Sequence, residues 1–122
     1  MIEVRALRPD DDRSRFGCGQ GDLDRFFHVY AGQNQFRNHV GVTYVAIDAG
    51  EILGFATVAA AQLEIEEIPA AWRRGLPSYP LPVLRLARLA VHSTAQGKGI
   101  GGLLLRHVFG LARSMAVTVG CI

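Results

Sequence analysis

The feature that most constrains this chain is a glycine-rich stretch directly before a helical pattern. The stretch reads Gln96-Gly97-Lys98-Gly99-Ile100-Gly101-Gly102. From Ile100 to about Met115, apolar residues recur at spacings of three and four, which predicts an amphipathic helix. Because glycine has no Cβ, such a backbone can curl and let a ligand approach closely. The unpaired N–H groups of the first helical turn and the helix dipole then favour an anion, and a pyrophosphate suits this kind of site.

Two familiar phosphate motifs fit this stretch poorly. Its glycines formally match G-x-G-x-x-G, but that dinucleotide motif begins directly at a strand end, and five residues separate Val91 from Gly97. The motif also expects an acidic residue about 20 positions later, and none follows Glu67. A P-loop needs Ser or Thr after its lysine, whereas Gly99 follows Lys98. The alternative is a helix start that binds no ligand. Four glycines would weaken such a helix, and no ligand would offset that loss of stability.

The remaining patterns predict an α/β domain with the order β-α-β-β-β-α-β, a mixed sheet and helices on both faces. Strands are predicted at 2–7, 42–47, 52–59, 83–91 and 116–119. A first helix is predicted from about Asp22 to Phe36, although Gly32 weakens it. Asp48-Ala49-Gly50-Glu51 is typical of a hairpin loop, and 64–82 of a long loop with one helical turn.

Length and composition favour a single domain over residues 1–122 and a cytoplasmic protein. Of the residues, 49% are hydrophobic and 20% are charged, as in ordinary globular domains. No apolar run reaches the roughly 20 residues of a membrane span, and the first residues lack a signal-peptide pattern. Of the 13 basic residues, only Lys98 is a lysine. Arginine suits phosphate recognition, but a GC-rich coding bias explains the same excess at least as well. No His or Cys spacing indicates a metal site.

The segment from Leu89 to Gly101 resembles the acyl-CoA motif of the GNAT N-acetyltransferase superfamily. Leu89-Ala90-Val91-His92 ends a strand, and Q-x-x-G-x-G follows over 96–101. The resemblance implies acetyl-CoA as cofactor, with its pantetheine arm paired to the backbone of Leu89, Ala90 and Val91. It also implies that the pyrophosphate binds to the loop Gln96, Gly97, Lys98, Gly99, Ile100 and Gly101. In that loop, Lys98 adds positive charge and Gln96 adds hydrogen-bond donors.

Other segments are similar to one branch of that superfamily, the toxins of toxin–antitoxin pairs. Phe16-Gly17-Cys18-Gly19 followed by Leu23-Asp24-Arg25-Phe26-Phe27 resembles the entry to their first helix, and 80–91 resembles their central strand. The likeness runs from about residue 3 to 119. It implies acetylation of the α-amino group of aminoacyl-tRNA, which blocks translation, and an antitoxin of the ribbon-helix-helix kind that neutralises the enzyme.

Members of this branch continue past the strand predicted at 116–119 with a helix and two further strands. These contain a Phe-Tyr segment whose tyrosine is the usual general acid for the CoA thiolate. That tyrosine would lie beyond residue 122, so the sequence leaves the catalytic residue unknown and we expect a chain truncated at its C-terminus. Two alternatives stay open: a catalytically deficient remnant that binds acyl-CoA or the antitoxin, and a GNAT enzyme that acetylates a small amine or a protein N-terminus.

Arg85 and Arg88 interrupt an otherwise apolar strand, which is costly unless each is paired or faces a polar ligand. Three positions apart on a strand, they are expected to point to opposite faces. They are either candidate contacts to tRNA phosphate or the terminal adenosine, or members of ion pairs with acidic residues. His92 is interpreted as a polar strand end rather than a base. An unpaired strand at 116–119 would leave an open edge that a second copy of the chain could cover.

Overall fold

The computed structural model describes residues 1–121 of this chain, which form a four-stranded sheet with helical elements on both faces. The strands are β1 (Glu3–Ala6), β2 (Val42–Asp48), β3 (Glu51–Leu63) and β4 (Leu81–Val91). The helical elements are α1 (Gly21–Arg25), which continues through wide turns at Phe26–Tyr30 and Gln33–Arg37, and α2 (Ile100–Thr118). Short 3₁₀ turns occupy Ile65–Glu67, Ala70–Trp72 and Ser93–Ala95. The predicted α/β architecture with helices on both faces is therefore confirmed.

The sheet has the strand order β1-β2-β3-β4, and every neighbouring pair is antiparallel. The predicted hairpin is confirmed, because Ala49 and Gly50 adopt φ values of 52° and 81° between β2 and β3. Two consecutive positive φ values are the backbone of a type I′ turn, whose twist matches the flanking strands. Strand β3 is longer than predicted and pairs along its length with β4 as far as Leu63 opposite Leu81.

The strand predicted at 116–119 is wrong. Ala116 to Thr118 are the last residues of α2, and the helix ends where Val119 and Gly120 donate their N–H groups to Met115 O at 2.9 and 2.6 Å. Gly120 has a φ of 101°, a left-handed conformation that glycine adopts readily at helix ends. Over the described residues 1–121, the expected mixed sheet is thus an antiparallel one, and the open edge expected at 116–119 does not exist there.

The two faces of the sheet bury different side chains. On one face, Phe26, Phe27 and Ala31 of the helical segment 21–37 pack with Phe16, Phe55 and other apolar residues. On the other face, Ile100, Leu104 and Val108 of α2 pack against small residues such as Ala46 and Ala56. Fully burying one such large side chain stabilises the fold by about 1.5–3 kcal/mol. Successive strand residues alternate between the two clusters, as the period of two requires.

Packing explains why residue 32 is a glycine, which helix propensity alone does not. Arg13 Nη1 donates to the carbonyl oxygen of Phe27 at 2.9 Å, in the region where the wide turns leave carbonyls without their usual partners. A Cβ at Gly32 would lie 2.8 Å from Arg13 Nη2. The glycine therefore makes room for the arginine that satisfies the open turn.

Helix α2 is long and apolar enough to meet a composition test for a membrane span, with a mean hydropathy of 1.2 over 18 residues. The core helices of globular proteins meet the same test. In this structure Ile100, Leu104 and Val108 are buried against the sheet.

Candidate functional site

The glycine loop, residues Gln96–Gly101, has a backbone that only glycine adopts easily. Gly97 and Gly99 both have a φ of 81°, in the left-handed region. A Cβ built on either residue would have no other heavy atom within 4 Å. Conformation, and not crowding by the protein, is therefore what requires glycine here, and the space beside both residues is free for a ligand.

The start of α2 supplies hydrogen-bond donors to that space. The first backbone bond of the helix runs from Leu103 N–H to Gly99 O at 3.1 Å. The N–H groups of Ile100, Gly101 and Gly102 precede this bond and are the unpaired donors that every helix start leaves. Lys98 is exposed and forms no ion pair within residues 1–121. These donors, the helix dipole and one ammonium group fit a pyrophosphate.

The 15–18 segment (Arg15 to Cys18) holds the residues before the glycine loop in place. Ser93 donates both its backbone N–H and its hydroxyl to Gly17 O, each at 2.8 Å. Gln96 Nε2 donates to Cys18 O at 3.2 Å. The segment is in turn fixed to α1, because Cys18 N–H donates to Asp24 Oδ1 at 2.8 Å. Local sequence patterns do not show this contact, because the two segments are 76 to 78 residues apart. Only the resemblance of Phe-Gly-Cys-Gly to a known motif singled out the first segment.

The side chain of Gln96 forms hydrogen bonds within the protein. Its side-chain NH₂ donates to Val91 O at 3.1 Å as well as to Cys18 O. Both donors of the amide group are thereby used within the protein. Gln96 positions the loop between the end of β4 and the 15–18 segment, and its remaining contribution to a ligand would come from its backbone.

His92 is part of the same scaffold. Its Nδ1 accepts from Thr94 N–H at 3.2 Å, and its Nε2 is 3.1 Å from Arg15 O, so the ring hydrogen is assigned to Nε2. The ring also packs edge-on against Phe16, with centroids 5.7 Å apart. With both nitrogens engaged, His92 fits the interpretation of a polar strand end and not that of a free base.

Leu89, Ala90 and Val91 lie on the last strand of the sheet. On one side they pair with Ala56, Phe55 and Gly54 of β3. On the other side, β4 has no strand partner within residues 1–121. The backbone groups on that open edge are available to an extended ligand, which is the arrangement that strand-like recognition uses. The strand leads through the Ser93–Ala95 turn directly to the glycine loop.

Arg85 and Arg88 lie on the same face of the sheet, so the expectation of opposite faces is wrong. Arg88 pairs with Thr57 and Arg85 with Ala59, whereas Leu86 pairs with Val58. Ala87 is therefore an extra residue, a β-bulge that shifts the alternation by one position. Arg85 and Arg88 are both exposed, and neither forms an ion pair with another residue of the described chain.

The guanidinium of Arg88 lies over the ring of Phe26, 3.9 Å from the ring centroid. This cation–π contact holds the arginine beside an open cleft of about 330 Å³. The cleft is lined by Asp22, Arg25, Phe26, Tyr30 and Arg88. Two arginines in an open cleft next to the bulge of β4 can contact a polyanion. The tyrosine acid expected from the resemblance lies outside the residues described.

Comparison with known proteins places these features in a family. The family described as "Acetyltransferase (GNAT) domain" matches residues 39–121. A protein of Mycobacterium tuberculosis named "tRNA-acetylating toxin" is 32% identical over 119 residues, covering 95% of this chain and 69% of the relative.

Two solved structures have closely similar backbones. AtaT complexed with acetyl-methionyl-tRNAfMet matches with a TM-score of 0.90 and 24% identity, over 99% of this chain and 74% of that chain. A mutant AtaT toxin bound to the C-terminus of the antitoxin AtaR and acetyl-CoA matches with a TM-score of 0.80 and 26% identity, over 99% of this chain and 70% of that chain.

Proposed function

This chain belongs to the GNAT acetyltransferase family, and on that premise we propose that it transfers the acetyl group of acetyl-CoA to the α-amino group of aminoacyl-tRNA. The observation that supports this most is the open, left-handed glycine loop in a chain 32% identical to a tRNA-acetylating toxin. The solved AtaT complexes with acetyl-CoA and with acetyl-methionyl-tRNAfMet support the same donor and acceptor.

The donor side of the proposal rests on β4 and the glycine loop. The N–H groups of Gly97, Lys98, Gly99, Ile100 and Gly101, with the Lys98 ammonium, bind the pyrophosphate of acetyl-CoA. The open edge of β4 at Leu89, Ala90 and Val91 pairs with the pantetheine arm. Gln96 holds the loop in the conformation that aims these amides outward.

The chemistry is an acyl transfer from sulfur to nitrogen. A neutral amine forms a bond to the acetyl carbonyl carbon, the carbon–sulfur bond breaks, and the proton that the nitrogen loses balances the charge of the departing thiolate, which leaves as CoA–SH. Backbone N–H groups on the open edge of β4 are the proposed donors to the carbonyl oxygen, since donors fixed in advance stabilise the charge that develops there. This part of the mechanism needs only residues that the structure describes.

The acceptor side of the proposal rests on the arginines of the open cleft. Arg88 and Arg25 line it, and Arg85 lies on the same face of β4, so phosphates near the 3′ end of tRNA can pair with them. Phosphate contacts of this kind position a nucleic acid and bind more weakly as salt rises. Arg85→Ala and Arg88→Ala are therefore expected to raise the KM for tRNA and to lower its salt dependence.

An antitoxin is the proposed protein partner, because the relative AtaT binds the C-terminus of the antitoxin AtaR. The resemblance of the sequence to the toxin branch suggests that this antitoxin is of the ribbon-helix-helix kind. Aminoacyl-tRNA is a cytoplasmic molecule, so the cytoplasm is the proposed location.

The test uses aminoacyl-tRNA, radiolabelled acetyl-CoA and the chain of 122 residues. The proposal predicts label in the aminoacyl end, released as an N-acetyl amino acid after mild base. Label in free amines with none in tRNA would favour the small-amine alternative. A thermal shift with acetyl-CoA and no transfer at any tRNA concentration would favour the acyl-CoA-binding remnant.

A matched pair of glycine variants tests the donor site separately. Gly99 and Gly75 both have a φ of 81° and open space around a Cβ, so Gly99→Val and Gly75→Val impose similar backbone strain of about 1–2 kcal/mol. Only Gly99→Val is expected to weaken acetyl-CoA binding, by tenfold or more in a titration. Equal weakening by both variants would contradict the assignment of the loop.

A further inference from the structure

A second cavity lies beside the arginines, between the helical segment 21–37 and strands β3 and β4. Its volume is about 140 Å³. Its apolar lining includes Phe26, Ala31, Val40, Ala59 and Ala87. Ala87, the extra residue of the bulge, borders it directly, so the irregularity of β4 and the cavity occur at the same place.

The size and lining of this cavity define what it can hold. An apolar protein cavity of about 150 Å³ binds benzene, so a side chain of that size fits here. Its polar lining residues are Asn34, Arg88 at the edge, and the buried pair Thr43 and Thr57, whose hydroxyls share a hydrogen bond of 2.7 Å. An ammonium placed inside would lose its hydration without gaining a charged partner, because the described lining includes no acidic residue and Arg88 at the edge is itself a cation.

The position of the cavity connects it to the reacting groups. Arg88 and Phe26 line both this cavity and the open cleft that also contains Asp22, Arg25 and Tyr30, so the two spaces share a wall. Ala87 and Arg88 directly precede Leu89, the first residue of the proposed pantetheine-binding edge. An amine at that edge would therefore have its amino acid side chain next to the apolar cavity and its tRNA end next to the arginines.

We infer that this cavity selects the amino acid on the tRNA and that it favours apolar side chains up to about the size of benzene. The inference rests on the proposed transfer to aminoacyl-tRNA. It adds a substrate class: aminoacyl groups of the size of Met, Leu or Phe, in preference to Gly and Lys. Ala59 and Ala87 are the specificity-determining residues, because larger side chains there would occupy the cavity.

The experiment charges one tRNA body with different amino acids by means of an aminoacylating ribozyme, so that only the aminoacyl group varies. We expect kcat/KM for Met, Leu and Phe to exceed that for Gly and Lys at least tenfold, since even one methylene in an apolar pocket is worth about 10- to 200-fold. Equal rates across the panel would overturn the inference and leave the proposed function standing. No transfer to any member of the panel would overturn both.

Variants with a larger side chain in the cavity test whether the cavity selects the amino acid. Ala59→Leu is expected to lower kcat/KM for the Met, Leu and Phe tRNAs at least tenfold and to change the Gly tRNA less than about twofold. Ala60→Leu, one residue further on β3 and on the other face, is the control and should change neither. Ala87→Leu repeats the test from β4 if Ala59→Leu folds poorly. A uniform loss across the panel, or the same loss in Ala60→Leu, would contradict a role for the cavity.

Discussion

The two faces of the sheet differ in how completely they are filled and in what they leave open. On the face of the helical segment 21–37, four phenylalanines interlock, and Phe27 and Phe55 stack with ring centroids 4.5 Å apart. On the face of α2, small residues let the helix lie close to the strands. There, a Cβ at Gly54 would be 3.0 Å from both Ala90 O and Ile100 Cγ2.

Because of this difference, the two faces of the sheet have different roles in the proposed site. The aromatic face includes the cavity and the arginine cleft, so its large side chains form a rigid border around the proposed acceptor site. The α2 face fixes the direction of a helix whose first turn is the proposed pyrophosphate site. The outer side of α2 leaves large side chains exposed, with Phe109 at 58% and Val117 at 90%. The aromatic face should accordingly tolerate change less than the outer side of α2.

The largest expected effect separates two phenylalanines. Phe27 is fully buried, whereas Phe109 is 58% exposed. Phe27→Ala should lower the free energy of unfolding by about 3–5 kcal/mol. Phe109→Ala removes a side chain that is mostly in water and should cost less than about 1 kcal/mol. Urea unfolding followed by circular dichroism measures both, and equal losses would mean that the described faces do not differ as stated.

A substitution at the centre of the α2 face tests how close that helix lies. Gly54→Ala places a Cβ about 3 Å from backbone and side-chain atoms on either side, so α2 must move or the strands must spread. Overpacking of this kind costs about 1–3 kcal/mol. Because the movement displaces the start of α2, acetyl-CoA affinity should also fall. Full affinity in a destabilised Gly54→Ala protein would show that the glycine loop is held independently of the helix packing.

At β1, the aromatic face is bordered by an ion pair whose contribution to the stability of the fold depends on pH. Arg5 donates to both carboxylate oxygens of Asp11 at 2.8 Å, and these hydrogen bonds hold the pKa of Asp11 below its ordinary value of 3.8. A lowered pKa in the folded state means that the pair stabilises the fold above pH 3.8 and that this stabilisation is lost as the pH falls through the lower folded value.

Asp11→Asn should therefore reduce stability by about 1–2 kcal/mol at neutral pH and by less in acid. Unfolding curves recorded from about pH 7 down to about pH 3 measure the gap between variant and parent. A gap of constant size across that range would contradict the role of the charged pair, since an uncharged contact has no reason to weaken in acid.

The smallest expected effect is a gain in the free energy of unfolding. Gly110 lies in the middle of α2 on its exposed side, with no other atom within 4 Å of a Cβ. Gly110→Ala should raise the free energy of unfolding by about 0.5–1 kcal/mol through helix propensity alone. Acetyl-CoA affinity should be unchanged. A loss of stability would show that the outer side of α2 is packed against something within the fold.

Local sequence patterns predicted those elements of the fold that depend only on residues close together in the sequence. The alternation in β1 and β2, the Ala49-Gly50 turn and the start of α2 at Ile100 all depend on neighbouring residues. The end of α2 does not follow from local propensity. Val117 and Thr118 favour strands, but a helix that is already formed extends at little cost, and α2 continues to Thr118, two residues before Gly120.

Long-range geometry explains what the sequence left unseen at the candidate site. The bulge at Ala87 depends on the register between β3 and β4, and it brings Arg85 and Arg88 to one face. The bonds of His92, Ser93 and Gln96 to the 15–18 segment join residues 76 to 78 positions apart. The glycine loop itself was identifiable because the glycines that its backbone conformation requires lie close together in the sequence.

The central claim is that the amides at the start of α2 bind the pyrophosphate of acetyl-CoA. The most direct measurement is a titration of the ¹⁵N-labelled protein with acetyl-CoA, followed by NMR shifts and hydrogen exchange of individual amides. We expect the largest shifts and new protection at Gly97, Lys98, Gly99, Ile100 and Gly101, with Gly75 and Gly110 unchanged. Saturating acetyl-CoA that leaves the loop amides unshifted and unprotected would contradict it.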